Sequence, residues 1–223
     1  MGCGTHSTAG TVARTRSMSR LGVDAVMLVT PYYNKPPQEG LYRHFMAATE
    51  VSEVPVILYN VPSRTAVDLL PATVARLARN PQIVALKEAT GSLNRARELL
   101  NVCPPEFTLL SGDDATAVEL MSLGARGVIS VTANVAPRRM RDACDAAISG
   151  DLVGAEAIDA SLQPLHKDLF VEASPIPVKW AVARMGLIGN AIRLPLVELS
   201  TANHDTVLRA MRTAGVTLEE QAA

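Results

Sequence analysis

Short continuous apolar runs alternate with longer stretches of helical periodicity through most of the chain. The runs cover residues 25–30, 55–60, 83–86, 107–111 and 127–132, and their length and β-branched content predict strands. Residues 38–52, 71–79, 92–102 and 115–123 between them carry the 3.6-residue period of helices. Strands that are apolar on both faces are typical of parallel sheets covered by helices. The alternation therefore predicts right-handed crossovers in either a (β/α) barrel or an open doubly wound sheet. A first helix, capped by Ser7 or Thr8 and ending before Gly22, has no strand ahead of it in this reading. After Pro137 the pattern turns wholly helical, over 138–149, 152–169, 177–185 and 201–214, with Pro177 at a helix start. The expected division is a partial barrel over 1–150 and a helical region over 151–223.

Composition narrows the function classes. With 48% hydrophobic and 19% charged residues among 223, the chain can bury a sizeable core. A formal net charge of -1 without blocks of like charge leaves no electrostatic case for nucleic acid or an anionic membrane. No apolar stretch approaches the roughly 20 residues of a membrane span, and the first residues lack the apolar core of a secretory signal. Cys3, Cys103 and Cys144 are odd in number and far apart, which predicts a reducing, cytoplasmic setting. His6, His44, His166 and His204 show no paired ligand spacing, so no metal is expected. Gly2 to Ser7 resembles a phosphate loop only loosely, because Ser7 stands where a glycine is needed.

The chemistry concentrates where predicted strands end. In Ile83-Val84-Ala85-Leu86-Lys87-Glu88-Ala89-Thr90-Gly91 an apolar run delivers an amine to the strand exit. A desolvated ammonium loses its proton more readily, and the free amine can attack a carbonyl; a lysine that snorkels to water has no such role. Tyr32 and Tyr33 follow one strand and Tyr59 ends the next, positions from which a phenol can pass a proton to an imine or oxyanion. Arg64 supplies a bidentate donor suited to a carboxylate. Asp113 or Asp114 is read as a helix cap rather than a metal ligand.

Thr30-Pro31-Tyr32-Tyr33-Asn34, Tyr59-Asn60-Val61-Pro62-Ser63-Arg64-Thr65, Lys87-Glu88-Ala89-Thr90-Gly91, Ser111-Gly112-Asp113-Asp114, Gly127 to Asn134 and Pro175-Ile176-Pro177-Val178-Lys179-Trp180 together resemble the dihydrodipicolinate synthase family. The resemblance implies an α/β TIM (β/α)8 barrel of the class I pyruvate aldolase type with a C-terminal helical appendage. It implies a lyase in which Lys87 forms an imine with pyruvate and the derived enamine adds to L-aspartate 4-semialdehyde. The product would be 4-hydroxy-tetrahydrodipicolinate, toward lysine and diaminopimelate. Tyr59 matches the family's proton donor and acceptor, and Tyr33 the tyrosine that reaches a neighbouring subunit's site. Arg64 matches the binder of the semialdehyde carboxylate, and the backbones of Gly112 and Ile129 lie beside pyruvate. No cofactor or metal is implied, and a homodimer or homotetramer is. N-acetylneuraminate lyase and keto-deoxy sugar acid aldolases share the lysine and tyrosine, but Arg64 and the tandem Tyr32-Tyr33 favour the synthase. A non-catalytic subunit that pairs with full-length chains is the reading from a different class.

The family's Gly-Thr-Thr-Gly-Glu motif, with the threonines of its proton relay, is absent here. A TIM barrel takes about 250 residues, so the chain reads as N-terminally truncated, with five strands, exposed edges and impaired activity. The family's lysine feedback site uses residues near Gly4, His6, Gly10 and Tyr32, and feedback-sensitive members carry an amide and a carboxylate where His6 and Gly10 stand. Gly10 offers no side chain to an ammonium. Free lysine is therefore expected not to bind tightly, and a saturable calorimetric titration at low lysine would overturn this.

Overall fold

The computed structural model describes residues 1–218, which form two compact units, Met1–Ile129 and the part from Ser130 onward. The first unit alternates helix and strand: α1 (Thr8–Met18), β1 (Val26–Val29), α2 (Gln38–Thr49), β2 (Val56–Asn60), α3 (Pro62–Thr65), α4 (Pro71–Leu77), β3 (Ile83–Glu88), α5 (Leu93–Val102), β4 (Thr108–Ser111) and α6 (Ala117–Leu123). The four strands are parallel and lie in sequence order, β1-β2-β3-β4. Successive helices pack on one another, α1 on α2, α2 on α4, α4 on α5 and α5 on α6. Unbroken order with the helices in one row is the arrangement of a barrel wall, whereas a doubly wound sheet reverses order at a switch point.

Burial alternates along β1, β2 and β4, and in β3 it does so except at Ala85 and Leu86, both buried beside a register shift against β2; the register sorts the side chains into two faces. Val26, Leu28, Val56, Leu58, Leu86 and Leu109 are buried, and the pairings Leu28↔Leu58, Leu58↔Leu86 and Leu86↔Leu109 align them into one layer. Met27, Val29, Ile57, Tyr59, Lys87 and Leu110 face the other way and are only half-buried. The runs are thus apolar on both faces, as expected, yet only one face is deeply covered.

The edges differ from the sequence reading. Residues 127–132 form a single bridge, Ser111↔Val128, in place of a strand. Backbone bonds from Arg126 to Leu109, Ser111 to Gly127 and Ile129 to Ser111 begin a ladder. It stops because the chain turns into a 3-10 helix, Thr132–Asn134, where Ser130 Oγ accepts from the Ala133 amide. At the opposite edge, helix α1 does have extended chain before it: Gly2 bridges Met27, Met27 donates to the Met1 carbonyl, and the Cys3 amide donates to Met27. Ser7 caps α1 by accepting from the Gly10 amide, and Ser92 caps α5 in the same way from Arg95.

The second unit is helical: α7 (Pro137–Ser149), α8 (Leu152–Asp168), α9 (Ile176–Arg184) and α10 (His204–Thr213). Gly150, at φ 92°, ends α7, and Asp151 caps α8 by accepting from Gly154. Buried His166 joins Thr132 Oγ1 (2.8 Å) to Asp159 Oδ1 (3.1 Å), and Trp180 stacks on His204 at 4.4 Å. Among the described residues no helix is long and apolar enough to cross a membrane.

Leu58 is fully buried between strands on both sides. Leu58→Ala is expected to cost about 2–5 kcal/mol of unfolding free energy in urea. Val29→Ala, on the half-buried face, should cost roughly 1 kcal/mol.

Candidate active site

Register builds the site. Tyr59 pairs with Lys87 across β2 and β3, so both side chains leave the sheet on the half-buried face at the carboxyl ends of their strands. The Lys87 amine lies over the Tyr59 ring, 4.3 Å from its centroid. Gly112, just beyond β4, makes room for the lysine: a β-carbon there would stand 2.9 Å from Lys87 Cε and 2.7 Å from Ala89 Cβ. The Gly112 amide donates to the Glu88 carbonyl, fixing the turn beside the amine.

Tyr59 also forms part of the wall of a cavity of about 350 Å3, together with Val29, Tyr32, Val61, Arg64 and Thr65. That volume suits a small molecule. Lys87 does not line this cavity, so Tyr59 is the residue common to the amine and the cavity. Arg64 belongs to a one-turn helix, α3; Pro62 starts it and Ala66, at φ 59°, ends it. Ile129 lies at a second cavity of about 520 Å3 with Met27 and Ile57, and its amide is engaged by the Ser111 carbonyl. Tyr33 stands apart. The residue is 91% exposed, its backbone is left-handed at φ 76°, and its amide donates to the Thr65 carbonyl. A non-glycine residue in that conformation costs about 1–2 kcal/mol.

Burial lowers the affinity of the Lys87 amine for its proton, nearby Asp114 partly restores it, and Arg64 lowers it again. Burial pushes the Tyr59 phenol up, against a smaller downward pull from Arg64. A larger share of Lys87 is therefore free amine at neutral pH than of an ordinary lysine, beside a phenol that keeps its proton. This pairing can attack a carbonyl and then supply a proton. The cysteines offer no such nucleophile in this unit: Cys3 is fully buried, and burial pushes the Cys103 thiol up to about 11. No cluster of three or more His, Cys, Asp or Glu side chains arranged to hold a metal occurs among the described residues. The cap expected from Asp113 or Asp114 does not form: Thr116 is the N-cap of α6 and the helix has no side-chain cap, while the Asp113 carboxylate accepts from the Thr116 amide and hydroxyl and so braces the turn before the helix.

Sequence reasoning did not single out four polar residues beneath this pair, Asn60, Asp68, Glu88 and Arg95. Asn60 and Glu88 follow Tyr59 and Lys87 directly, so strand parity puts them on the opposite, buried face. That parity was the available signal, since a polar residue in an apolar layer needs a partner.

Comparison with known proteins matches residues 1–214 to the model of the dihydrodipicolinate synthetase family. The 4-hydroxy-tetrahydrodipicolinate synthase of Methylococcus capsulatus is 56% identical over 215 residues, covering 96% of this chain and 74% of the relative. That of Pseudomonas aeruginosa is 56% identical with the same coverage. Among solved structures, the chloride-inhibited dihydrodipicolinate synthase from Acinetobacter baumannii complexed with pyruvate superposes with a TM-score of 0.94 at 48% identity, covering 97% of this chain and 74% of that one. The Aquifex aeolicus dihydrodipicolinate synthase gives 0.95 at 39%, covering 98% and 75%. These likenesses make the four parallel strands an arc of a TIM (β/α)8 barrel, with the half-buried face its interior.

Gly112→Ala is expected to lower stability by about 1–3 kcal/mol in urea, because neither Ala89 nor the lysine stem can retreat freely. Gly2, around which a β-carbon meets nothing within 4 Å, serves as the control, and Gly2→Ala should stay within about 0.5 kcal/mol.

Proposed function

The chain belongs to the dihydrodipicolinate synthetase family, and on that premise we propose that it condenses pyruvate with L-aspartate 4-semialdehyde through an imine on Lys87. The observation that carries this reading is the desolvated Lys87 amine lying 4.3 Å from the Tyr59 ring at the strand ends. The free amine adds to the keto carbon of pyruvate, and loss of water leaves the imine. Removal of a proton from the adjacent methyl gives an enamine, whose carbon attacks the semialdehyde aldehyde and leaves an alkoxide that takes up a proton. Attack by the semialdehyde's own amine on the imine carbon closes the ring and expels the Lys87 amine, giving 4-hydroxy-tetrahydrodipicolinate. Tyr59 is the proton carrier in these exchanges. Its raised pKa suits a group that donates to an alkoxide and takes the proton back.

Arg64, at the cavity wall, holds the semialdehyde carboxylate. Gly112 and Ile129 bound the pyruvate position through their backbones. Tyr33, exposed on a strained turn, acts in the site of a second copy, which makes the working form a homodimer or homotetramer. The imine lysine serves as the electron sink, so the reaction calls for no separate cofactor. The setting is the cytoplasm.

Borohydride reduction in the presence of pyruvate tests the reading on the 223-residue chain itself. Mass spectrometry of peptides should locate a reduced pyruvate adduct on Lys87, absent from Lys87→Arg. Folded protein that gives no adduct at Lys87 would refute it.

A further inference from the structure

On the buried face of β2 and β3, one residue beyond the reactive pair, a chain of polar side chains runs where the layer is otherwise aliphatic. Asn60 is wholly buried and Glu88 is 1% exposed, and they pair in register as Tyr59 and Lys87 do. The orientation of the Asn60 amide is fixed, because its Oδ1 accepts from the Leu69 backbone at 3.0 Å. Its Nδ2 therefore faces two carboxylates, Glu88 Oε2 at 3.1 Å and Asp68 Oδ1 at 2.8 Å. Glu88 Oε1 also accepts from the Thr90 amide at 2.8 Å. Asp68 takes a bidentate grip from Arg95, at 2.9 and 2.7 Å. The chain thus joins the end of β2, the loop before α4, the end of β3 and the first turn of α5.

Bulk stability is a poor explanation for these residues. Removing a carboxylate and an amide from water is costly, and buried polar networks add little over well-packed aliphatics such as the neighbouring Leu58 and Leu86. What directional bonds supply and aliphatics do not is a fixed offset between two strand ends. The residues whose offset is fixed are the immediate neighbours of Tyr59 and Lys87.

We propose that Asn60, with Glu88, Asp68 and Arg95, is a positioning clamp that holds the Lys87 amine against the Tyr59 ring. None of the four reaches the reacting face, so each acts through the strand ends. The proposal rests on the Lys87 imine reading for its purpose, and its test does not need turnover.

The test compares the 223-residue chain with Asn60→Ala and Arg95→Lys in three measurements: melting temperature, acylation of Lys87 by acetic anhydride across pH, and the initial rate of borohydride-trapped pyruvate adduct at Lys87. Lys87 is faced by the Tyr59 ring on β2, Arg64 on α3 and Asp114 after β4, all unchanged in both variants. Loosening the clamp lets the amine regain water, so in Asn60→Ala its acylation profile moves to higher pH and the adduct rate falls by roughly tenfold or more. Arg95→Lys loses the two-pronged grip on a partly exposed pair, at 17% and 34% exposure, and should shift both readouts the same way by less. It decides the matter if Asn60→Ala fails to fold. Folded variants with the wild-type acylation profile overturn the clamp, whatever their melting temperature. If the unmodified chain gives no pyruvate adduct, the imine reading falls, while the acylation profile still judges the clamp.

Discussion

The parallel register between β2 and β3 is the constraint from which the site follows. Because neighbouring strands in register present the same parity to the same face, pairing Tyr59 with Lys87 sends phenol and amine to one side and their successors to the other. A slip of β3 by one residue would bury the amine among leucines, expose Glu88 and leave Asn60 without it. The aliphatic layer of Leu28, Leu58, Leu86 and Leu109 makes such a slip expensive, so packing far from the chemistry determines which atoms meet there.

The electrostatics of Lys87 are a balance rather than a single push. Burial and Arg64 favour the free amine, whereas Asp114 favours the ammonium. A ring face beneath the nitrogen also favours the cation. A nucleophile needs the first state and an iminium the second, and partial opposition of this kind permits both without a large rearrangement. Gly112 makes the arrangement sterically possible, since any side chain there would occupy the path of the lysine stem.

Much of this was legible in the chain. The strand ending in Lys87, the cap at Ser7 and the all-helical pattern after Pro137 follow from local rules, and the structure carries them within a residue or two. Local rules failed where pairing decides. Residues 127–132 have strand composition, yet only Val128 is bridged before Ser130 turns the chain. The first residues look too few for a strand, yet Met1 to Cys3 find Met27. The clamp was illegible for the same reason: Asn60 meets Glu88 across 28 positions and Asp68 across eight, and nothing in their spacing announces a meeting. Tyr32, 42% exposed, belongs to the cavity wall within the chain, a place that its position after β1 did not announce.

The bridges at Gly2 and Val128 also grade the sheet from rim to centre. β2 and β3 each have a full strand on both sides, while β1 and β4 are flanked outwardly by one bridge apiece. Breathing motions should begin at those rims, where few bonds must break for a segment to open. The amine rides on the interior pair. Its surroundings should therefore stay closed through the commonest fluctuations of the unit and open only with the cooperative loss of its core, so that the reactive group shares the lifetime of the fold rather than that of its edges.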